Sequence, residues 1–175
     1  GDIGHQAHYH GSMSAPFTVA VFADTHIRPE PLDTQAGYPS DAEHNGRARQ
    51  AVRTMAQRHP RFAVHLGDLT HTLPTLPTYD AAMDLARDIF RRLPCPLVVV
   101  PGNHDVGDKP DSHATAPPVD ADSCARFEAR WGASWQSWDH GGCHFVVLNS
   151  ALFNADSEIE RAQGAWLAQD LVGHG

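Results

Sequence analysis

At 175 residues the chain has room for one domain with a sizeable core and little room for two. A 41% hydrophobic and 19% charged composition belongs to a chain that folds, and a formal charge of −8, with Lys109 the single lysine beside twelve arginines, excludes a broad basic face for nucleic acid. No run of about 18 apolar residues offers a membrane span. Cys95, Cys124 and Cys143 are unevenly spaced with no C-x-x-C, so a disulfide framework is not expected; no secretory leader is recognised, and a reducing, cytoplasmic setting fits. Thirteen histidines raise the question of metal, since neutral imidazole is a common ligand.

Residues 1–12 (GDIGHQAHYHGS) differ in character from the rest of the chain and read as a tag-like or disordered tail, whose His5, His8 and His10 would capture metal only adventitiously. The domain proper is placed at 13–175. Thr18 to His26 (TVAVFADTH) is β-branched and apolar up to Asp24, the pattern of a buried strand with a polar end. In HNGRARQAVRTMAQRHP, Ala48, Ala51, Val52 and Met55 share one helical face and Pro60 stops the helix. Phe62 to Asp68 (FAVHLGD) is a second buried strand. TYDAAMDLARDIFRRLP predicts a second helix, with Tyr79, Met83, Leu85, Ala86 and Ile89 toward one side and Thr78 as N-cap. CPLVVVPGNHD is a third buried strand, followed by a Pro- and Asp-rich loop, DSHATAPPVDAD, and a short helix, DSCARFEARWG. SWQSWDHGGCHFVVLNS reads as two strands about the turn DHGG, and EIERAQGAWLAQDL as a last helix. Strands alternating with helices predict an α/β fold with a mostly parallel sheet, its ligands gathered at the carboxyl ends of the strands.

Each of the three buried strands ends in groups able to ligate: Asp24 and His26 in DTH, Asp68 in GDL, then Asn103, His104 and Asp105 in GNHD. Carboxylate, amide and imidazole together suit Mn, Fe, Zn or Co rather than a thiolate-selected metal. Asp24 and His26, two apart on a continuous strand, would point to one face and chelate one ion, and Asp68 has a second oxygen with which to bridge. Two ions about 3.5–4 Å apart clamp a phosphate's oxygens and bring a bridging water into its working pH range. His104, next to the ligand Asn103, would stabilise the transition state or protonate the leaving oxygen, with Asp105 orienting its imidazole. Of the other histidines, His65 inside the second strand reads as a core residue, while His44, His59, His113, His140 and His144 read as solvated. Trp131, Trp135, Trp138 and Trp166 read as core anchors.

D-x-H, G-D and G-N-H-D in that order, each after a buried strand, resemble the signature of the calcineurin-like metallophosphoesterases. GNHDVGD, FEARWG, WDHGGCHFVVLNS and QGAWLAQDL further resemble its protein phosphatase subgroup and the related cyclic-nucleotide phosphodiesterases; the similarity runs from about Phe17 to Leu171. The resemblance implies a four-layer α/β/β/α sandwich and two divalent ions. Asp24 and His26 would bind the first ion, Asp68 would bridge, Asn103 would bind the second, and His104 would be the catalytic imidazole. It implies hydrolysis of phosphate esters by a hydroxide activated between the ions. Phosphomonoesters or phosphoproteins come first as substrates and cyclic nucleotides or other diesters second, an inactive partial domain being the non-enzymatic alternative. In GDLTH, His71 stands where purple acid phosphatases carry tyrosine, so it is expected only as a nearby polar contact. The family's last two motifs, a strand-end histidine and G-H-x-H, would follow the QxxWL helix, and VGHG (Val172 to Gly175) lacks the final histidine. The chain therefore reads as the N-terminal portion of such a domain, with four ligands for two ions and an uncovered sheet face suited to self-association.

Overall fold

The computed structural model describes residues 15–30, 39–110 and 116–174. The tail at 1–12 and His113 lie outside the described residues. Strands β1 (Val19–Phe22), β2 (Phe62–His65) and β3 (Leu97–Val99) pair in that order and all in parallel, with Val21 opposite Val64 and Val64 opposite Val98. Alternation along the strands sorts their side chains between two faces. Ala20, Phe22, Ala63, His65, Leu97 and Val99 point to one, and Val19, Phe62, Val64, Val98 and Val100 to the other.

The first face is covered by α1 (His44–Ala56), α2 (Tyr79–Phe90) and α4 (Ala121–Trp131). In α2, Tyr79, Ala82, Met83, Ala86, Ile89 and Phe90 are buried, an apolar stripe at helical spacing laid on the sheet. Tyr79, Phe90 and Phe127 are the bulkiest side chains of this core. Thr78 does stand at the N-cap of α2, but its backbone is helical and its hydroxyl caps nothing. The side-chain caps are made instead by Asp120, which accepts from the Ser123 amide ahead of α4, and by Ser157, which accepts from the Glu160 amide ahead of α5 (Glu158–Val172).

On the far face lies an antiparallel hairpin, β4 (Gln136–His140) and β5 (Cys143–Val147). Its two-residue loop is Gly141–Gly142, with φ of 61° and 79°, the conformation a tight hairpin turn demands. Trp138 stacks on Phe145 at an interplanar angle of 11°, and both press edge-on against Phe62 of β2. The outer face of the hairpin turns Ser137 and His144 toward Asp170 of α5. The layers thus run helices, parallel sheet, hairpin, helix, with two strands in the second sheet among the described residues. That hairpin does not reach the carboxyl end of the parallel sheet, where Val21 and Leu66 are 58% and 53% exposed.

Candidate active site

The strands end sooner than their apolar runs. β1 stops at Phe22 and β2 at His65, because the next residues turn left-handed: Asp24 (φ 55°), His26 (42°), Gly67 (106°) and Asp68 (55°). The expectation that Asp24 and His26 share the face of a continuous strand is therefore corrected; two αL residues, not strand periodicity, bring them together. The two loops run side by side, the amides of Asp24, His26 and Ile27 donating to the carbonyls of Gly67, Asp68 and Leu69.

A buried relay locks this pairing. The Gly67 amide donates to His65 Nδ1 at 3.1 Å, so the ring hydrogen sits on Nε2, which donates to Thr25 Oγ1 at 3.0 Å, and Thr25 in turn donates to the Leu69 carbonyl. His65 is fully buried, and desolvation pushes its pKa down to about 3, keeping it neutral. It is a core histidine, as expected, and it also holds in place the residue between Asp24 and His26. Asn45 of α1 fixes the other side of the loop through the backbone of Arg28, whose guanidinium pairs with buried Asp41 at 3.1 Å.

The third loop enters through Gly102, which approaches so closely that a Cβ there would lie 2.2 Å from Asp68 Oδ1. The one-turn helix α3 (Asn103–Val106) comes next. The amide of His104 donates to Asp68 Oδ1 at 3.1 Å, fixing that carboxylate. Asp105 departs from its expected role. Its carboxylate is turned inward and accepts from the amides of Gly102, Leu69 and Thr70, while the Tyr79 hydroxyl donates to its carbonyl. Asp105 clasps the second and third loops, and the orienting acceptor for His104 is the His71 carbonyl, 2.8 Å from Nδ1. Burial raises the Asp105 pKa to about 7, with nearby Asp68 adding to the rise and the three amides opposing it.

His26 Nε2 lies 3.6 Å from Asp68 Oδ2 and 4.0 Å from Asp24 Oδ1, too far for hydrogen bonds. Ligand atoms each about 2.1 Å from a common ion lie about 3 to 4 Å apart, so these separations fit a shared cation. One donor atom each from His26, Asp68 and His104 falls within 4.8 Å of the others. The donors are imidazole and carboxylate, matched to divalent transition ions. Asp24, Asp68 and Asn103 line a cavity of about 270 Å³ together with Asp108 and Lys109. A larger cavity of about 850 Å³ opens at the opposite end of the sheet between Pro60, Pro96 and Trp138, and no carboxylate lines it, so the ligating chemistry sits at the smaller one.

Two residues read as peripheral belong to this end of the sheet. His44 is not solvated: its Nδ1 donates to the His26 carbonyl and its Nε2 lies 3.7 Å from Asp41. His71 packs with ring centroids 5.8 Å from His26 and 5.7 Å from His104. Burial lowers the pKa of His26 and of His71, Asp68 opposing the shift at His26 and Arg28 adding to it at His71. His144, also read as solvated, is paired with Asp139 on the hairpin and with Asp170 of α5. His174 of VGHG stacks on His144 there and does not join the His26 cluster.

Loops after parallel strands, carrying D-x-H, G-D and G-N-H-D around one cavity, are the setting in which a family model for calcineurin-like phosphoesterases matches residues 17–174; the chain belongs to that family. Among curated proteins it is 32% identical over 129 residues to the human serine/threonine-protein phosphatase CPPED1, covering 71% of this chain and 38% of that protein. The Danio rerio protein of the same name is 34% identical over 130 residues, covering 70% and 39%. The chain thus spans less than two fifths of the length of these relatives. A solved purple acid phosphatase, PPD1 from yellow lupin seeds, aligns with a TM-score of 0.48 and 15% identity over 77% of this chain and 24% of its own.

Proposed function

We propose that this site hydrolyses phosphate monoesters, with phosphoserine and phosphothreonine in proteins as the substrate class, and that it works with two divalent ions of the Mn, Fe, Zn or Co group. The reading rests on one observation: His26, Asp68 and His104 converge at the carboxyl end of the parallel sheet, with Asp24 and Asn103 beside them. The serine/threonine phosphatase relatives support the choice of substrate. Asp24, His26 and Asp68 would hold one ion and Asp68 and Asn103 the other. Bound there, the ions supply positive charge to the phosphate oxygens and acidity to a water. Divalent ions of this kind take four to six ligands, so a set this small draws on further groups, consistent with relatives of whose length this chain matches less than two fifths.

The protein's own part is positional. His104, its Nδ1–H held by the His71 carbonyl, takes up a second proton at Nε2, and in that protonated form would hand it to the departing serine or threonine oxygen. Asp105 sets where Asn103 and His104 stand relative to Asp68, and Lys109 brings a cation to the cavity wall. The test is turnover of a phosphoserine peptide, p-nitrophenyl phosphate, a generic diester and a cyclic nucleotide, with Mn²⁺ and with chelator. Turnover of the monoesters that chelator abolishes supports the reading. Turnover that survives chelator, hydrolysis of the diesters alone, or none at all overturns it for this chain.

A further inference from the structure

The outer face of the hairpin carries a second meeting of nitrogen and oxygen donors. Asp139 of β4 stands directly opposite His144 of β5. His174, just past α5, stacks on His144 with ring centroids 3.6 Å apart and planes 13° apart. One donor atom from each of the three lies within 4.8 Å of the others.

The cluster is short of hydrogens. His174 Nδ1 is 2.8 Å from the Asp170 carbonyl, which only accepts, so the hydrogen of a neutral ring sits on Nδ1 and its lone pair on Nε2, 3.5 Å from Asp139 Oδ2. His144 faces a carboxylate oxygen with each nitrogen, Asp139 Oδ1 at Nδ1 and Asp170 Oδ2 at Nε2, both at 2.7 Å. A neutral ring carries one N–H, so one of those oxygens meets a lone pair. Asp170 already receives the Ser137 hydroxyl at 2.6 Å, and with the His144 hydrogen on Nε2 both its oxygens are served. What remains are two imidazole lone pairs, side by side on stacked rings, each turned toward an oxygen of Asp139. Such a set repels itself unless something positive occupies it.

We propose that Asp139, His144 and His174 bind one divalent transition ion of the zinc type at the junction of the hairpin and α5. Imidazole and carboxylate together favour Zn²⁺, Co²⁺ or Ni²⁺ over Mg²⁺ and Ca²⁺. Two ligands about 2.0–2.1 Å from a tetrahedral ion lie about 3.3–3.4 Å apart. The His174 contact at 3.5 Å already has that spacing, the Asp139 side chain, 68% exposed, has room to withdraw from its 2.7 Å contact with His144, and the 36%-exposed His174 ring must swing out of its stack on His144 for both lone pairs to meet one ion. The ion ties β4, β5 and the end of α5 together. Nearer its start that helix is held by Ile159 against the core and by Gln163, its one buried residue, bonded to Asn149, whereas Leu171 and Val172 at its end are 50% and 84% exposed. The site is structural and separate from the His26 cluster.

The test titrates Zn²⁺ alone, against a chromophoric chelator, into the full chain carrying H5S, H8S, H10S, D24N and D68N, which removes the tail histidines and the cavity carboxylates as competitors. The parent binds one Zn²⁺ per chain, and H174A or D139N weakens it at least tenfold, with Zn²⁺ raising the melting temperature of the parent alone. Co²⁺ gives tetrahedral visible bands in the parent that both variants lose. His174 and Asp139 are surface residues, so far-UV circular dichroism serves to confirm unchanged folding. In the otherwise unaltered chain, H174A lowers total Zn²⁺ by one per chain, a readout independent of the background substitutions. A parent that binds no Zn²⁺, or variants that keep it, would mean that protons alone fill the cluster, and overturns the proposal. Since Asp24 and Asp68 are absent from the parent, either result leaves the proposed hydrolysis to its own assay.

Discussion

Lowering the pH from 7 to 5 should destabilise this protein through a residue that makes no contact with substrate. Folded, His65 stays neutral down to about pH 3, since protonation would place a charge in a fully buried site and remove the lone pair that the Gly67 amide uses. Unfolded, the same side chain takes a proton near pH 6.5. Between those values the unfolded state binds more protons, so stability present above pH 6.5 is lost as the pH falls. The difference of the two binding curves gives a loss of about 2 kcal/mol between pH 7 and 5, rising toward about 5 kcal/mol below pH 3. The assay is urea unfolding followed by circular dichroism at pH 7 and pH 5, with EDTA throughout, on the wild type and on His65→Gln, which cannot titrate. Other titrating groups are common to both chains, so the gap between them isolates His65. It should change by about 2 kcal/mol in favour of the variant at pH 5. Parallel stabilities, with the gap constant to about 0.5 kcal/mol, would show that the buried relay does not hold His65 neutral.

Three further expectations concern the loops. Asp68→Ala should abolish metal content and turnover together, whereas His104→Ala should lower turnover about 100-fold or more with metal content kept, read by elemental analysis beside the kinetic assay; equal losses would contradict the assigned roles. Gly102→Ala drives a Cβ into Asp68 and its amide, 2.2 Å and 2.4 Å away, and should lower stability by about 3 kcal/mol in urea unfolding. Asp105→Asn turns an amide NH₂ toward backbone N–H donors and should destabilise by about 2–3 kcal/mol; an unchanged midpoint would refute the clasp.

The parallel sheet and the residues at its end were legible because burial on both faces leaves an unmistakable mark: FAVH and LVV carry no polar alternation except at His65, and the residues after each run are abruptly polar. The hairpin was legible from Gly141–Gly142. Other features lie in geometry that residue order does not carry. Nothing in DTH announces that Asp24 and His26 both sit at positive φ, because Asp and His tolerate that region without requiring it. The inward turn of Asp105 depends on amides 35 and 36 residues away at Thr70 and Leu69, and its neighbour in sequence, His104, was the wrong partner to assign. Thr78 has the chemistry of a cap without the backbone for it. His44 and His144 lie at element ends, where a side chain reads as solvated; helix packing and strand pairing bring partners to them that chain order does not show.

The left-handed residues also set what selection for robustness would do to this protein. Asp24, His26 and Asp68 occupy backbone conformations that glycine adopts without a Cβ penalty, which for other residues is about 1 kcal/mol. A library screened only for heat resistance would therefore be offered Asp24→Gly, which removes a 70%-exposed acid beside Asp68 and relaxes the turn in one step. The most heat-resistant survivors would be among the first to lose their ligands. Engineering of this fold has to score metal retention alongside melting temperature, because at these positions the two criteria rank substitutions in opposite order.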